Sequence, residues 1–147
     1  VKEERALRRK CARANNDEGV ELGRKLLREL SLMPDGVGLA ANQIGTNKRV
    51  CVINVTRPII LVNPVILEGS GRIIYEEGCL SFPGQLVVTE RFRNIVVAAS
   101  NHQRKLYFGS EDMLECVCVQ HEIDHLDGKT MFDRRSRRND IMGSAYL

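Results

Sequence analysis

Tryptophan is absent, histidine occurs only three times, and no apolar run approaches the roughly 18–20 residues that a membrane-spanning helix needs. The N-terminal region is too charged for a secretion signal. Lys2, Glu3, Glu4, Arg5, Arg8, Arg9 and Lys10 crowd it, and no apolar core follows. Neither sign of charge dominates: Lys plus Arg is 22 and Asp plus Glu is 19, a net charge of +3. That excess is too small to imply general nucleic-acid binding. Cysteine is not scarce, but Cys11, Cys51, Cys79, Cys116 and Cys118 form an odd set at irregular spacing. Without an export signal, such a set points to buried thiols plus one ligand or nucleophile, not to a disulfide framework. These absences lead us to expect a cytoplasmic protein with no membrane contact.

At 147 residues, with 43% hydrophobic and 28% charged positions, the chain reads as one globular domain spanning 1–147. Residues 17–32 read as an amphipathic helix: Val20, Leu22, Leu26, Leu27 and Leu30 recur at close to the helical period, and Asp17 and Glu18 suit its N-terminus. Pro34-Asp35-Gly36 breaks it. β-rich stretches follow at 49–55, 59–67 and 72–75, then a Gly- and Pro-punctuated loop over 76–84, then one or two strands within 86–99 and another at 103–108. A second helix begins near Ser110, a plausible N-cap, with Glu111, Asp112 and Glu115 in its first turn. Leu114, Val117, Cys118, His121 and His125 fall on one face of it, and Gly128 is a natural stop. This order predicts an α+β fold. Largely antiparallel sheets would pack around the second helix, with the first helix N-terminal to them.

The chemistry concentrates in His121-Glu122-Ile123-Asp124-His125. Histidines four apart on a helix share a face, so both imidazoles can reach one tetrahedral metal at about 2.0–2.1 Å. Glu122 is placed to take a proton from water on that metal. The rival reading, two surface histidines on a charged helix, conflicts with the apolar stripe that contains them. A catalytic site needs a third protein ligand and one open position. Asp127, Asp133 and Asp140 lie downstream in no recognisable pattern, and His102 reads as an exposed turn residue. Cys79 is the better candidate: it sits between Gly78 and Leu80 in a turn-rich loop, where backbone can approach a metal closely. Two imidazoles and a thiolate suit Fe²⁺, Zn²⁺, Ni²⁺ or Co²⁺. Cys11, Cys51 and Cys116 read as small buried hydrophobes, and Cys118 as part of a pocket wall.

Three segments together resemble the signature motifs of peptide deformylases. They are Gly36-Val37-Gly38-Leu39-Ala40-Ala41-Asn42-Gln43-Ile44-Gly45, Glu77-Gly78-Cys79-Leu80-Ser81 and Gln120-His121-Glu122-Ile123-Asp124-His125-Leu126-Asp127-Gly128. Their order and spacing agree, and the likeness spans most of the chain. The resemblance implies removal of the N-formyl group from nascent polypeptides that begin with formyl-methionine, releasing formate. It implies Cys79, His121 and His125 as ligands of one divalent metal, natively Fe²⁺, with metal-bound hydroxide attacking the formyl carbon. Glu122 is then the general base and acid. The Leu80 backbone N–H and the Gln43 side-chain amide would meet the oxyanion. Gly38 and Gly78 would hold an extended peptide backbone. Val37, Tyr75, Leu114, Val117 and Cys118 could wall a methionine pocket, or could be simple core.

Two departures stand out. Leu86 occupies a position where many bacterial members place an arginine near the substrate backbone. After the second helix, 134–147 reads as a short basic tail and not as a long C-terminal helix, as in phage-encoded members. Arg134-Arg135-Ser136-Arg137-Arg138 is either a solvated tail or a weak ribosomal RNA contact. The protein is expected to be a monomer. A zinc endopeptidase is the alternative that the helix motif alone would allow. A structural metal module is another, which would need a closed four-ligand site.

Overall fold

The computed structural model describes residues 4–109 and 112–147. It is an α+β fold as expected, with three three-stranded sheets and two long helices. A short helix α1 (Glu4–Leu7) precedes α2 (Asn16–Ser31). The Asn15 side chain caps α2 by accepting the Glu18 N–H at 2.9 Å.

The first sheet orders β1 (Gly38–Ala40), β2 (Val50–Asn54) and β3 (Pro58–Val62) antiparallel. It lies between α2 and the central helix α3 (Met113–Leu126), so β2 is apolar on both faces. Val50 and Val52 join Leu26 and Leu30 of α2 in one apolar cluster, while Cys51 and Ile53 join Val117, Cys118 and Ile123 of α3 in another. Alternation along one strand thus serves two layers. Helix α2 approaches this sheet closely through Gly19 and Gly23. A Cβ at either would come within 2.6 Å of Val62 or 2.3 Å of Ile60. The expected stripe therefore shifts: Gly19, Gly23, Leu26 and Leu30 are buried, whereas Val20, Leu22 and Leu27 are only partly so.

The second sheet holds β4 (Val65–Ser70), β7 (Asn94–Ala98) and β8 (Leu106–Gly109). The expected strand over 59–67 is two strands. Asn63, with φ of 51°, and Pro64 turn the chain between β3 and β4. The third sheet orders β6 (Phe82–Arg91), β5 (Ile73–Cys79) and β9 (Gly143–Tyr146). Here the expected loop over 76–84 is a hairpin. Strand β5 continues to Cys79, Leu80 and Ser81 make the turn, and a register shift follows Gly78. The expected tail is also structured. Met131–Arg134 forms a 3-10 helix, and β9 runs parallel to β5.

Helix α3 has no exposed face over most of its length: every residue from Cys116 to Leu126 is buried, polar ones included. The one-face reading of the sequence therefore understates its enclosure. Ser110 and Glu111 lie outside the described residues, and the cap is Asp112, which accepts the Glu115 N–H at 2.9 Å. At the other end Gly128 has φ of +75°, and a Cβ there would meet the Arg8 carbonyl oxygen at 2.7 Å. Arg49 completes this terminus by donating to the Leu126 carbonyl at 3.1 Å and to Asp127 at 2.7 Å. Among the described residues, no helix is long and apolar enough to cross a membrane.

Candidate metal centre and active site

Helix α3 brings His121 and His125 onto one side a single turn apart, with their Nε2 atoms 3.2 Å from each other. Cys79, at the end of β5, places its sulfur 3.4 Å from His125 Nε2. The three donor atoms lie within 4.8 Å of one another, and all three residues are buried. The donors converge as ligands of one ion do, and their chemistry, two imidazoles and a thiol, suits a borderline divalent cation. Burial first, and His121 beside it, push the His125 imidazole well below its ordinary value. A neutral ring is the ligating form. His102 is elsewhere, with its Nε2 2.9 Å from the Ile60 carbonyl oxygen. The other four cysteines are buried free thiols.

Glu122 follows His121 and is fully buried, yet neither carboxyl oxygen has a hydrogen-bond partner among the described residues. Burial pushes it up to about 7, against the opposing pull of His121. Gly38 gives it room: a Cβ there would come within 2.7 Å of both Glu122 Oε2 and Cys118 Sγ. Gln43 lies in a 3-10 turn (Ala41–Ile44), where its Oε1 accepts the Ala40 N–H at 2.9 Å. That bond orients the amide, so Nε2 donates to Ser81 Oγ at 3.0 Å and faces Cys79 Sγ at 3.9 Å. The Leu80 N–H donates to the Leu147 carbonyl at 3.4 Å. Tyr75, Val117 and Cys118 share one apolar cluster with Val37 and Leu114 packed against it. Gly78 sits on the β5 edge facing β9.

Several site residues went unrecognised in the sequence. Glu77 is fully buried and accepts from Arg91 Nε at 2.7 Å and Nη2 at 2.8 Å, from the Thr89 hydroxyl, and from His121 Nδ1 at 2.8 Å. This bond fixes the His121 tautomer and leaves Nε2 for a metal. Arg91 Nη1 reaches Asp124 at 2.5 Å, and Asp124 also accepts from Arg134 at 2.8 and 2.9 Å. Burial alone would raise both carboxyls, but Arg91 holds Glu77, and Arg134 with Arg91 holds Asp124, below the usual carboxylate range. Arg134 is thus part of the internal network, not of a free basic tail. Asn42, to which no role was given, donates to the His125 carbonyl at 2.5 Å. A signal for the network did exist. Val87, Thr89 and Arg91 alternate on the buried face of β6, and two polar residues on an inward face call for partners.

The chain matches the polypeptide deformylase family model over residues 1–140. It is 41% identical over 109 residues to a peptide deformylase of Hamiltonella defensa, covering 71% of this chain and 64% of that one. With a Pseudoalteromonas translucida peptide deformylase it shares 37% over 124 residues, 82% of this chain and 74% of the relative. The chain thus spans slightly less than two thirds of the first relative. The fold superposes on a peptide deformylase from Synechococcus elongatus with a TM-score of 0.81 at 33% identity, covering 91% and 75% of the two chains. A probable peptide deformylase from Synechococcus phage S-SSM7 gives 0.78 at 32% identity, covering 88% and 93%. Sequence motifs, fold and donor geometry agree: the chain belongs to the polypeptide deformylase family.

Proposed function

We propose that this protein hydrolyses the N-formyl group of peptides beginning with formyl-methionine, releasing formate and a free amine. The carrying observation is the Glu122 carboxyl, buried and unpaired beside three convergent metal donors. Cys79, His121 and His125 would hold one divalent ion, natively Fe²⁺, with Zn²⁺, Ni²⁺ or Co²⁺ as substitutes. Bound there, such an ion supplies Lewis-acid polarisation of a carbonyl and a more acidic water. Glu122 takes the proton of the attacking water and returns it to the leaving nitrogen, a role suited to a carboxyl raised toward neutrality. Gln43 Nε2 and the Leu80 N–H donate to the oxygen on which charge develops. The Gly38 and Gly78 backbones hold the peptide extended. Val37, Tyr75, Leu114, Val117 and Cys118 receive the methionine side chain.

The test is deformylation of formyl-Met-Ala-Ser by protein purified without oxygen, with metal content measured on the same sample. An unblocked protein substrate is assayed beside it. Formate release with about one metal per chain is expected. Cleavage of internal peptide bonds without deformylation would favour an endopeptidase and overturn the reading, as would inactivity with all four ions.

A further inference from the structure

The catalytic cluster is closed over by the chain itself. Cys79, Glu122 and His125 are 0% exposed and His121 is 1% exposed. The element on the open side of the third sheet is β9. It pairs with β5 along the edge that β6 leaves free, Tyr75 to Gly143 through Gly78 to Tyr146. Backbone bonds continue past both ends of the strand. Met142 N–H donates to the Ile74 carbonyl at 2.7 Å, and Leu147 N–H donates to the Gly78 carbonyl at 3.0 Å. In return the Leu147 carbonyl accepts from the Leu80 N–H.

Side chains reinforce the pairing. The Tyr146 ring covers Gly78 so closely that a Cβ there would come within 2.8 Å of it, and its hydroxyl accepts the Gly84 N–H at 3.0 Å. Gly143 lies against the Tyr75 ring, where a Cβ would approach to 2.4 Å. Leu147 is fully buried and belongs to the same large apolar cluster as Tyr75, Val117 and Cys118, a cluster against which Val37 and Leu114 also pack. Leucine and methionine exchange readily in such surroundings, because their volumes and polarity are close.

We propose that the segment Gly143–Leu147 is an intramolecular competitor of the peptide substrate. This rests on the functional reading above, in which the same groups receive the substrate. A single β5 edge, a single Leu80 N–H and a single apolar pocket cannot serve two strands at once. Strand addition with a side chain in a pocket is the general means by which a sheet edge takes an extended peptide. The segment is built to detach. Residues 137–142 ahead of it are all exposed, and among the described residues β9 pairs with β5 alone. Elements held in this way open at low free-energy cost while the core stays folded. Substrate then binds only the open fraction, and its apparent affinity falls by that fraction.

Two variants of the chain test this. Leu147→Asp places a charge in the apolar pocket, and Gly143→Val pushes β9 off the Tyr75 ring while keeping Leu147. Both are expected to lower the KM for formyl-Met-Ala-Ser by about five-fold or more, with kcat unchanged. Amide hydrogen exchange on the parent supplies a readout independent of turnover. Saturating Met-Ala-Ser is expected to accelerate exchange of the β9 N–H groups as the peptide displaces the strand. Unchanged KM in a folded variant overturns the proposal, and so does β9 protection that the peptide leaves intact. Failure of both variants to fold also overturns it, because a detachable strand is dispensable to the core. If the parent and both variants all lack deformylation, the functional reading fails instead, and the exchange result alone decides whether a peptide and β9 exclude each other.

Discussion

Glu77→Gln is the most informative single change, because Glu77 links the fold to the candidate metal centre through His121. The substitution keeps the shape and one oxygen but removes the charge. Arg91 then loses its bidentate partner while keeping Asp124, and His121 Nδ1 faces an amide oxygen in place of a carboxylate. Hydrogen bonds to charged groups contribute about 1.5–3 kcal/mol each, and breaking a buried pair costs about 3–5 kcal/mol. Because Asp124 still compensates Arg91, we expect the low end, about 3 kcal/mol, read by denaturant unfolding of the metal-free protein. Loss of the carboxylate that accepts from His121 Nδ1 is expected to weaken metal binding by about 10–100-fold, or about 1.4–2.7 kcal/mol, read by competition with a chelator. The two readouts separate two roles. A stability loss with metal affinity unchanged would refute the claim that Glu77 tunes His121. An effect on neither would refute the network as a whole.

Three further outcomes follow from the same geometry. Glu122→Gln should lower kcat by about 100–10,000-fold while metal content stays at the parent level, measured on one preparation. Loss of the metal together with the activity would reassign Glu122 to structure. Glu77 and Asp124 have lowered folded values, so the stability they contribute is present above their unfolded values near about 4 and is lost as pH falls through the folded ones. Unfolding midpoints of the metal-free protein should therefore drop below about pH 4, and Asp124→Asn should flatten that drop. Replacing Arg135, Arg137 and Arg138 with Ala, sparing Arg134, should leave turnover of a short formyl-peptide unchanged and remove any salt-sensitive ribosome binding. Ribosome binding that persists in the triple variant would discard the basic-patch reading.

What the sequence determined by itself is local. His121, Glu122 and His125 are legible because four residues make one helical turn, so spacing alone puts both imidazoles on one side. The existence of α2, its Pro34-Asp35-Gly36 breaker, the β-rich stretches and the Gly128 stop are legible for the same reason, since each depends on neighbours within a few positions, whereas the capping roles of Asn15 and Asp112 are not. Cys79 is legible from its Gly-flanked, turn-rich surroundings and the ligand chemistry of a thiolate, and the similarity of three short motifs to one family supports it and adds Gln43 and Leu80, which no local period could connect to the helix. The tertiary structure decided the rest. It turned 76–84 into a hairpin, because β5 continues as a paired strand to Cys79. It enclosed α3 on all sides, where a stripe pattern implied one buried face. It joined Glu77, Arg91 and Asp124 into one buried ionic network, closed at the surface by the half-exposed Arg134, across two strands, a helix and a 3-10 turn. It also drew 143–147 onto the β5 edge beside the convergent donors Cys79, His121 and His125. Such contacts depend on strand register and on which charges must share a low-dielectric interior, and neither quantity is written in the spacing of residues along the chain.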